Sequence, residues 1–143
     1  MQSILVATDG SEGADRAVDA ASALAAALNI DLWILTVTDG TSNKLLKTLA
    51  REEQISIGDA MSAIPDRILA QAKERADGLG VKRIHLKSSF GDSTEEILEI
   101  AREVRPDAVF VGRRGRGRLQ GLLLGSVSQK LASLAPCMVV IVP

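Results

Sequence analysis

Residues Val111 to Ser128 read VGRRGRGRLQGLLLGSVS. Five glycines and four arginines stand in this one segment, between the apolar run Ala108 to Val111 and a helical pattern from about Ser126 to Leu134. A strand, a glycine-rich loop and a helix in that order expose main-chain N–H groups at a helix N-terminus, where the helix dipole also favours negative charge. Glycine lets the main chain approach closely and adopt positive φ, so that successive N–H groups can form a nest around phosphate oxygens. Three uses compete for such a segment. It could be a flexible basic tail for nucleic acid, a close-packing stripe through Gly117, Gly121 and Gly125, or a loop that wraps an anion.

The remainder of the chain weighs against the first use. The formal net charge is −1 and there are only two Phe, one Trp and no Tyr, so both the basic field and the stacking platforms of a nucleic-acid binder are missing. The arginines that flank Gly117 favour a loop over a packing stripe. At 143 residues and 46% hydrophobic, the chain is expected to form a single domain, 1–143, with a core that needs no staples. Cys137 is the only cysteine, so no intramolecular disulfide can form, and a reducing, cytoplasmic compartment is expected. No apolar run approaches spanning length, and the first residues lack the basic stretch of a signal peptide, so no membrane partner is expected.

Working outward, ILVAT at Ile4 to Thr8 reads as a buried strand closed by Asp9-Gly10-Ser11, with Ser11 as helix N-cap. Ala14, Ala17, Val18, Ala21, Leu24, Ala25 and Leu28 then recur at helical spacing, with Asn29 as the stop. Asp31 to Val37 is a second strand. From Asn43 to about Leu79 the pattern is helical, but Gly58 and Pro65 predict an interruption, with Ile64, Ile68, Ala72, Ala76 and Leu79 facing the core. Val81 to Ser88 alternates as a more exposed strand does. Ser93 with Glu96 fits a capping box ahead of a helix through Ile97, Leu98, Ala101 and Val104. Pro136 ends the helix after the glycine loop, and Met138 to Val142 is the last strand.

The order βαβαβαβαβ predicts an α/β fold: a five-stranded, mainly parallel sheet flanked by helices, Rossmann-like, with right-handed crossovers. Such sheets take ligands outside the carboxyl ends of their strands, where strand order reverses. Thr8-Asp9-Gly10, Val37-Thr38-Asp39 and the loop from Gly112 all end there.

Two common phosphate motifs are absent. Gly125-Ser126 has no preceding lysine, as a Walker A loop needs, and Gln120 stands where the dinucleotide pattern from Gly115 requires its third glycine. The spacing that is present is Gly112, two residues, Gly115, nine residues, Gly125-Ser126. This resembles the G-2x-G-9x-G-S/T signature of the universal stress protein family. The opening Ile-Leu-Val-Ala-Thr-Asp-Gly-Ser, the run Leu-Leu-Leu-Gly-Ser-Val-Ser and the ending Ala-Pro-Cys-Met-Val-Val-Ile-Val are similar to that family too, so the resemblance spans the whole chain.

The signature marks family members that bind ATP. The resemblance implies that Gly112, Gly115, Gly125 and Ser126 hold the phosphates, with help from Ser128; Val127 is placed among them, and Arg113 and Arg114 either supply positive charge there or face solvent. It implies that Asp9 faces the ribose and a nearby Mg or Mn ion, with Ala7 and Thr8 lining the pocket. Val37 matches the position whose main chain reads adenine. The family often has a small residue where Arg113 stands, and paired cations at Arg113 and Arg114 either tighten a triphosphate or occlude it. Residues 40–62 carry no transferable motif.

Plainer readings stand beside these. Asp9 before Gly10 is also good turn chemistry. His85, the only histidine, has no second ligand near it in sequence and reads as structural. Cys137 reads as a buried, inert thiol. The apolar last strand predicts a homodimer through residues 138–142 if it lies at a sheet edge, or a covered strand if it does not. Three functions follow: an ATP-binding stress or signalling module with an unknown protein partner and at most slow hydrolysis, a weak ATPase, or a dimeric interaction protein that ignores nucleotide.

Overall fold

Apolar strands separated by helices must be reached by crossovers, and this makes neighbouring strands parallel. The computed structural model describes residues 1–39, 48, 50–113 and 124–143, without the side chains of 57, 60 and 61. The elements run β1 (Ser3–Ala7), α1 (Glu12–Leu28), β2 (Asp31–Thr38), α2 (Ile57–Gly78), β3 (Ile84–Phe90), α3 (Ser93–Val104), β4 (Ala108–Gly112), α4 (Ser126–Leu134) and β5 (Met138–Val142). The strands form one five-stranded sheet in the order β3-β2-β1-β4-β5, and every pairing is parallel. The sheet is thus all-parallel rather than mainly so.

Alternation along each strand splits the core in two. Ile4, Val6, Leu32, Ile34, Ala108 and Phe110 meet Ala17, Val18, Ala21 and Ala25 of α1 and Leu69, Ala72 and Ala76 of α2. On the opposite face Leu5, Leu35, Val109 and Val111 meet Ile97, Leu98 and Ala101 of α3 and Leu131 of α4. Ile4, Leu5, Leu32, Ile34 and Leu35 are fully buried. Each such side chain contributes roughly 1.5–3 kcal/mol, so the central strands β1 and β2 anchor the fold. The alanines of α1 let that helix lie close on β1 and β4.

Several details differ from the sequence expectations. The expected interruption falls at residues 53–56, between helical residues 50–52 and α2, and α2 itself runs through Gly58 and Pro65 without a break. Pro65 removes one main-chain donor, but burial of the ring and of Leu69, Ala72 and Ala76 outweighs that local loss. Leu79, expected in the core, is exposed, and Leu69 takes the core position instead. The helix ends as expected at Gly78-Leu79-Gly80: Gly80 turns at φ +89° and Val81 N–H donates to Ala76 O, a Schellman closure. Strand β3 begins at Ile84 rather than Val81. The cap lies one residue earlier than expected. Asp92 caps α3 by accepting Glu95 N–H at 3.0 Å, while the Glu96 carboxylate accepts the Ser89 hydroxyl. Ser11 caps α1 and Asn29 closes it at φ 53°, both as expected.

Candidate functional site

The chain leaves central strand β1 outward to β2 and β3, then returns to β4 on β1's other side and continues to β5. Strand order therefore reverses between β1 and β4, and the crevice beyond their carboxyl ends is the candidate site. The structure brings Ala7, Thr8, Asp9, Val37, Gly112, Arg113, Gly125, Ser126, Val127 and Ser128 to that end of the sheet or to the helix that opens from it. Arg114 and Gly115 lie outside the described residues.

On the β1 side the turn largely satisfies itself. Thr8 is buried; its N–H donates to Leu35 O at 2.9 Å and its hydroxyl accepts Gly10 N–H at 3.1 Å. Asp9 Oδ1 accepts Ser11 N–H at 2.9 Å, and Ser11 Oγ accepts Ala14 N–H at 3.3 Å. Gly10 adopts φ +78°, which this turn needs. The turn chemistry expected of Asp9 is therefore present. Among the described residues no three His, Cys, Asp or Glu side chains gather as a metal site would require.

Val37 stands beyond the end of β1, because the β1–β2 register stops at Ala7 opposite Leu35. Leu35 O faces β1, where it accepts Thr8 N–H. With a two-residue repeat, the main-chain N–H and C=O of Val37 point to the same side, past the last residue of β1 and into the crevice. The side chain of Val37 packs on the α3/α4 face. Asp39, the next described residue but one, is 3.5 Å from Ser93 Oγ through its Oδ2.

The β4 side is built differently. A Cβ on Gly112 would sit 2.8 Å from Gly13 O and 2.9 Å from Gly13 C, both rigid main chain. Glycine at 112 thus lets the end of β4 touch the first turn of α1, a packing reason independent of any ligand. Arg113 N–H donates to Val142 O at 2.7 Å, and Arg113 O accepts Gly125 N–H at 2.8 Å. The two flanks of the glycine-arginine segment are pinned together at its base.

Ser128 is 3% exposed, and its hydroxyl points at Gly112 O (2.8 Å) and Arg113 O (3.0 Å). The proton is committed to the loop base, so this residue braces the loop rather than offering a donor outward. Val127 packs into the α3/α4 core. Ser126, the first residue of α4, is exposed.

Helix α4 begins at Gly125 with no side-chain cap and no acidic residue in its first turn. The other helices are finished differently. Ser11, Ser56 and Asp92 cap α1, α2 and α3 with side-chain oxygens, and each of those first turns carries acid. Among the described residues, the start of α4 therefore keeps the main-chain donors after Gly125 and the positive dipole end uncompensated by side chains.

Sequence reasoning missed Gly13, which receives Gly112, and Arg16, whose Nε donates to Pro143 O at 2.9 Å at the end of β5. Neither belongs to a motif, because both act across elements. The remaining singled-out residues lie elsewhere. His85 stacks on Trp33 at 4.3 Å and pairs with Asp31 Oδ2 at 2.9 Å, a structural role as expected. Burial, with Asp107 nearby, pushes the half-buried Cys137 thiol above its ordinary value. Cys137 lines a cleft of about 260 Å³ with Arg102, Arg105, Pro106 and Pro136, at the amino ends of β4 and β5 and away from the candidate site. No helix among the described residues is long and apolar enough to cross a membrane.

The sequence model of the universal stress protein family matches residues 1–143. The chain belongs to this family. "Universal stress protein YxiE" of Bacillus subtilis is 35% identical, with 97% of each chain covered. A crystal structure of a universal stress protein in complex with cAMP superposes with a TM-score of 0.75 at 32% identity, over 99% of this chain and 95% of the other. The universal stress protein of Archaeoglobus fulgidus in complex with dAMP shares the fold, with a TM-score of 0.72 at 18% identity over 100% of this chain and 98% of the other. Both superpositions agree with the all-parallel, Rossmann-like sheet described above.

Proposed function

We propose that this universal stress protein binds an adenine nucleotide, ATP foremost, in the crevice between β1 and β4, and acts as a nucleotide-dependent stress or signalling module. The carrying observation is the start of α4, which lacks a side-chain cap and first-turn acid and stands just after the glycine-arginine segment at the strand-order reversal. Phosphate oxygens fit those donors and that dipole end. The family member solved with cAMP, 32% identical over nearly the whole chain, supports the adenine class.

In this reading Ser126 and Val127 offer main-chain N–H groups, Ser126 adds its hydroxyl, and Gly125, Ser128 and Gly112 hold the loop base. Arg113, Arg114 and Gly115 contribute charge and close approach, Ala7 and Thr8 line the floor, and Val37 meets adenine through its main chain. Asp9 is the acid nearest the ribose and an accompanying Mg or Mn ion. Its Oδ1 keeps the Ser11 bond that shapes the turn. ATP orders the loop and changes the surface offered to a protein partner, a switch that requires differential binding and no turnover. This reading assigns no residue as general base, and hydrolysis is at most slow in it.

Calorimetric titration with Mg-ATP, with cAMP alongside, tests this. Wild-type protein stripped of carried-over nucleotide should bind ATP, and the Gly115→Val, Ser126→Ala double variant should not. Silence of the stripped wild type sinks the reading.

A second reading has its own observation. Strand β5 is an edge strand, with Met138 57% exposed and Val139 to Val142 only half-buried. Two copies pairing along 138–142 would cover that edge. Sedimentation of wild type against Val140→Pro checks it: a dimer lost in the variant supports the pairing, and a wild type that stays monomeric rejects it.

A further inference from the structure

We infer that the carboxyl end of edge strand β5 reports anion occupancy at the start of α4, through a two-peptide relay at Arg113 steadied by Arg16. The inference rests on the nucleotide-binding reading and specifies how that site is read out. Arg113 is bonded in both directions. Its carbonyl accepts Gly125 N–H (2.8 Å) at the start of α4, and its own N–H donates to Val142 O (2.7 Å), the last residue of β5. Ser128 Oγ adds a third contact at the same carbonyl.

One residue further, Pro143 O accepts Arg16 Nε (2.9 Å), so α1 holds the same strand end from the other side. Helix α1 is itself pressed against the loop base by the Gly13–Gly112 contact. Two independent ties from the crevice thus converge on Val142 and Pro143.

The physical consequence follows from the order of the bonds. An anion at the first turn of α4 fixes the Gly125 peptide, and Gly125 N–H holds the Arg113 carbonyl. Fixing the flanking peptides of Arg113 then fixes the acceptor at Val142, so protection spreads to the end of the strand. Among the described residues no such relay runs from the α4 start to the other sheet edge. The carboxyl end of β3 is tied to β2 beside Val37, through Gly91 N–H and Thr38 O at 2.9 Å, so only the amino half of β3 stands clear of the site. Occupancy should therefore stiffen the β5 end and leave the amino half of β3 as it was. By linkage, a change that loosens the β5 end more in the bound than in the free protein must weaken nucleotide binding by that difference.

Amide hydrogen exchange read by NMR on the full chain, with and without saturating Mg-ATP, tests this, with calorimetry on the same samples. Exchange at Arg113 and the β5 amides should slow by about two- to tenfold relative to Ile84, His85 and Leu86 in the amino half of β3, the range that one firmer hydrogen bond covers. Arg16→Ala alters an exposed residue, so the fold should stand. It should reduce both this protection and the ATP affinity. If ATP binds and β5 exchanges as before, or Arg16→Ala responds as fully as wild type, the relay is wrong while nucleotide binding stands. If stripped protein shows no heat with ATP, both fall together.

Discussion

Helices α1 and α4 start at the carboxyl ends of the two strands that flank the reversal, yet their first turns are finished in opposite ways. At α1, Ser11 caps the free donors, Asp9 steadies the turn, and Glu12 and Asp15 offset the dipole. At α4, Gly125 brings no side chain and the first turn holds no acid. A polar cap contributes about 0.5–2 kcal/mol over alanine, with glycine only a few tenths behind the best caps. The bare start of α4 is thus cheap in stability, and it leaves donors for an outside anion. Within one crevice, the β1 side supplies a rigid, self-satisfied wall and the β4 side supplies the groups that meet charge.

The comparison breaks most severely at Gly112, where the two helix starts are brought together. Gly112→Val should drive a side chain into the Gly13 main chain and destabilise the fold by about 3 kcal/mol. Urea unfolding should show it as a shifted midpoint, with nucleotide binding lost as well. A variant as stable as wild type would mean that α1 does not rest on β4 as described.

Ser128 and Ser126 sharpen the contrast between bracing and binding. Ser128→Ala leaves buried carbonyls at Gly112 and Arg113 without a hydroxyl donor and should cost about 1–2 kcal/mol. Ser126→Ala, at an exposed site, should change stability by less than about 0.5 kcal/mol while weakening ATP binding. Stability and titration measured on both variants check the split, and a reversed pattern would exchange the two roles.

Gly125→Asp converts the α4 start into a copy of the other helices. The new carboxylate should cap α4 and add a few tenths of a kcal/mol, about 0.3, to stability. The same carboxylate competes with phosphate, so ATP affinity should fall by about tenfold or more, equivalent to ~1.4 kcal/mol. Unchanged affinity would remove the α4 start from the site.

Much of this was legible in the sequence, for local reasons. Gly125 and Pro136 bracket α4, and its bounds at Ser126 and Leu134 follow from that punctuation, as do those of β5 at Met138 and Val142. Pro65 misleads because its penalty is local while the burial of Leu69 and Ala72 is tertiary. Asp92 and Ser93 both fit a capping box, and only the backbone, extended at Asp92, decides between them. The glycine spacing points to the loop, but it cannot show that Gly112 touches Gly13 or that the Ser128 hydroxyl faces inward. Those depend on α1, which lies about a hundred residues away in the chain, and on the way that strand order reverses.

The last and smallest effect uses a region outside the crevice. Asp31, at the amino end of β2, is held below its ordinary carboxyl value of 3.8, first by the hydrogen bond from Arg83 and then by that from His85. A depressed folded value means that Asp31 stabilises the fold above the unfolded value, near pH 4, and that the contribution fades as pH falls through the lower folded one. Thermal unfolding across the acid range should show this fraction in wild type and lack it in Asp31→Asn. Partial exposure makes the difference small and reducible by salt. At neutral pH the same variant should bind ATP as wild type does, because the Arg83–Asp31–His85 group stands at the end of the sheet opposite the α1 and α4 starts. A binding loss there would show that the two ends are coupled through β2, and the division between a braced wall and a binding face would then have to include the strand between them.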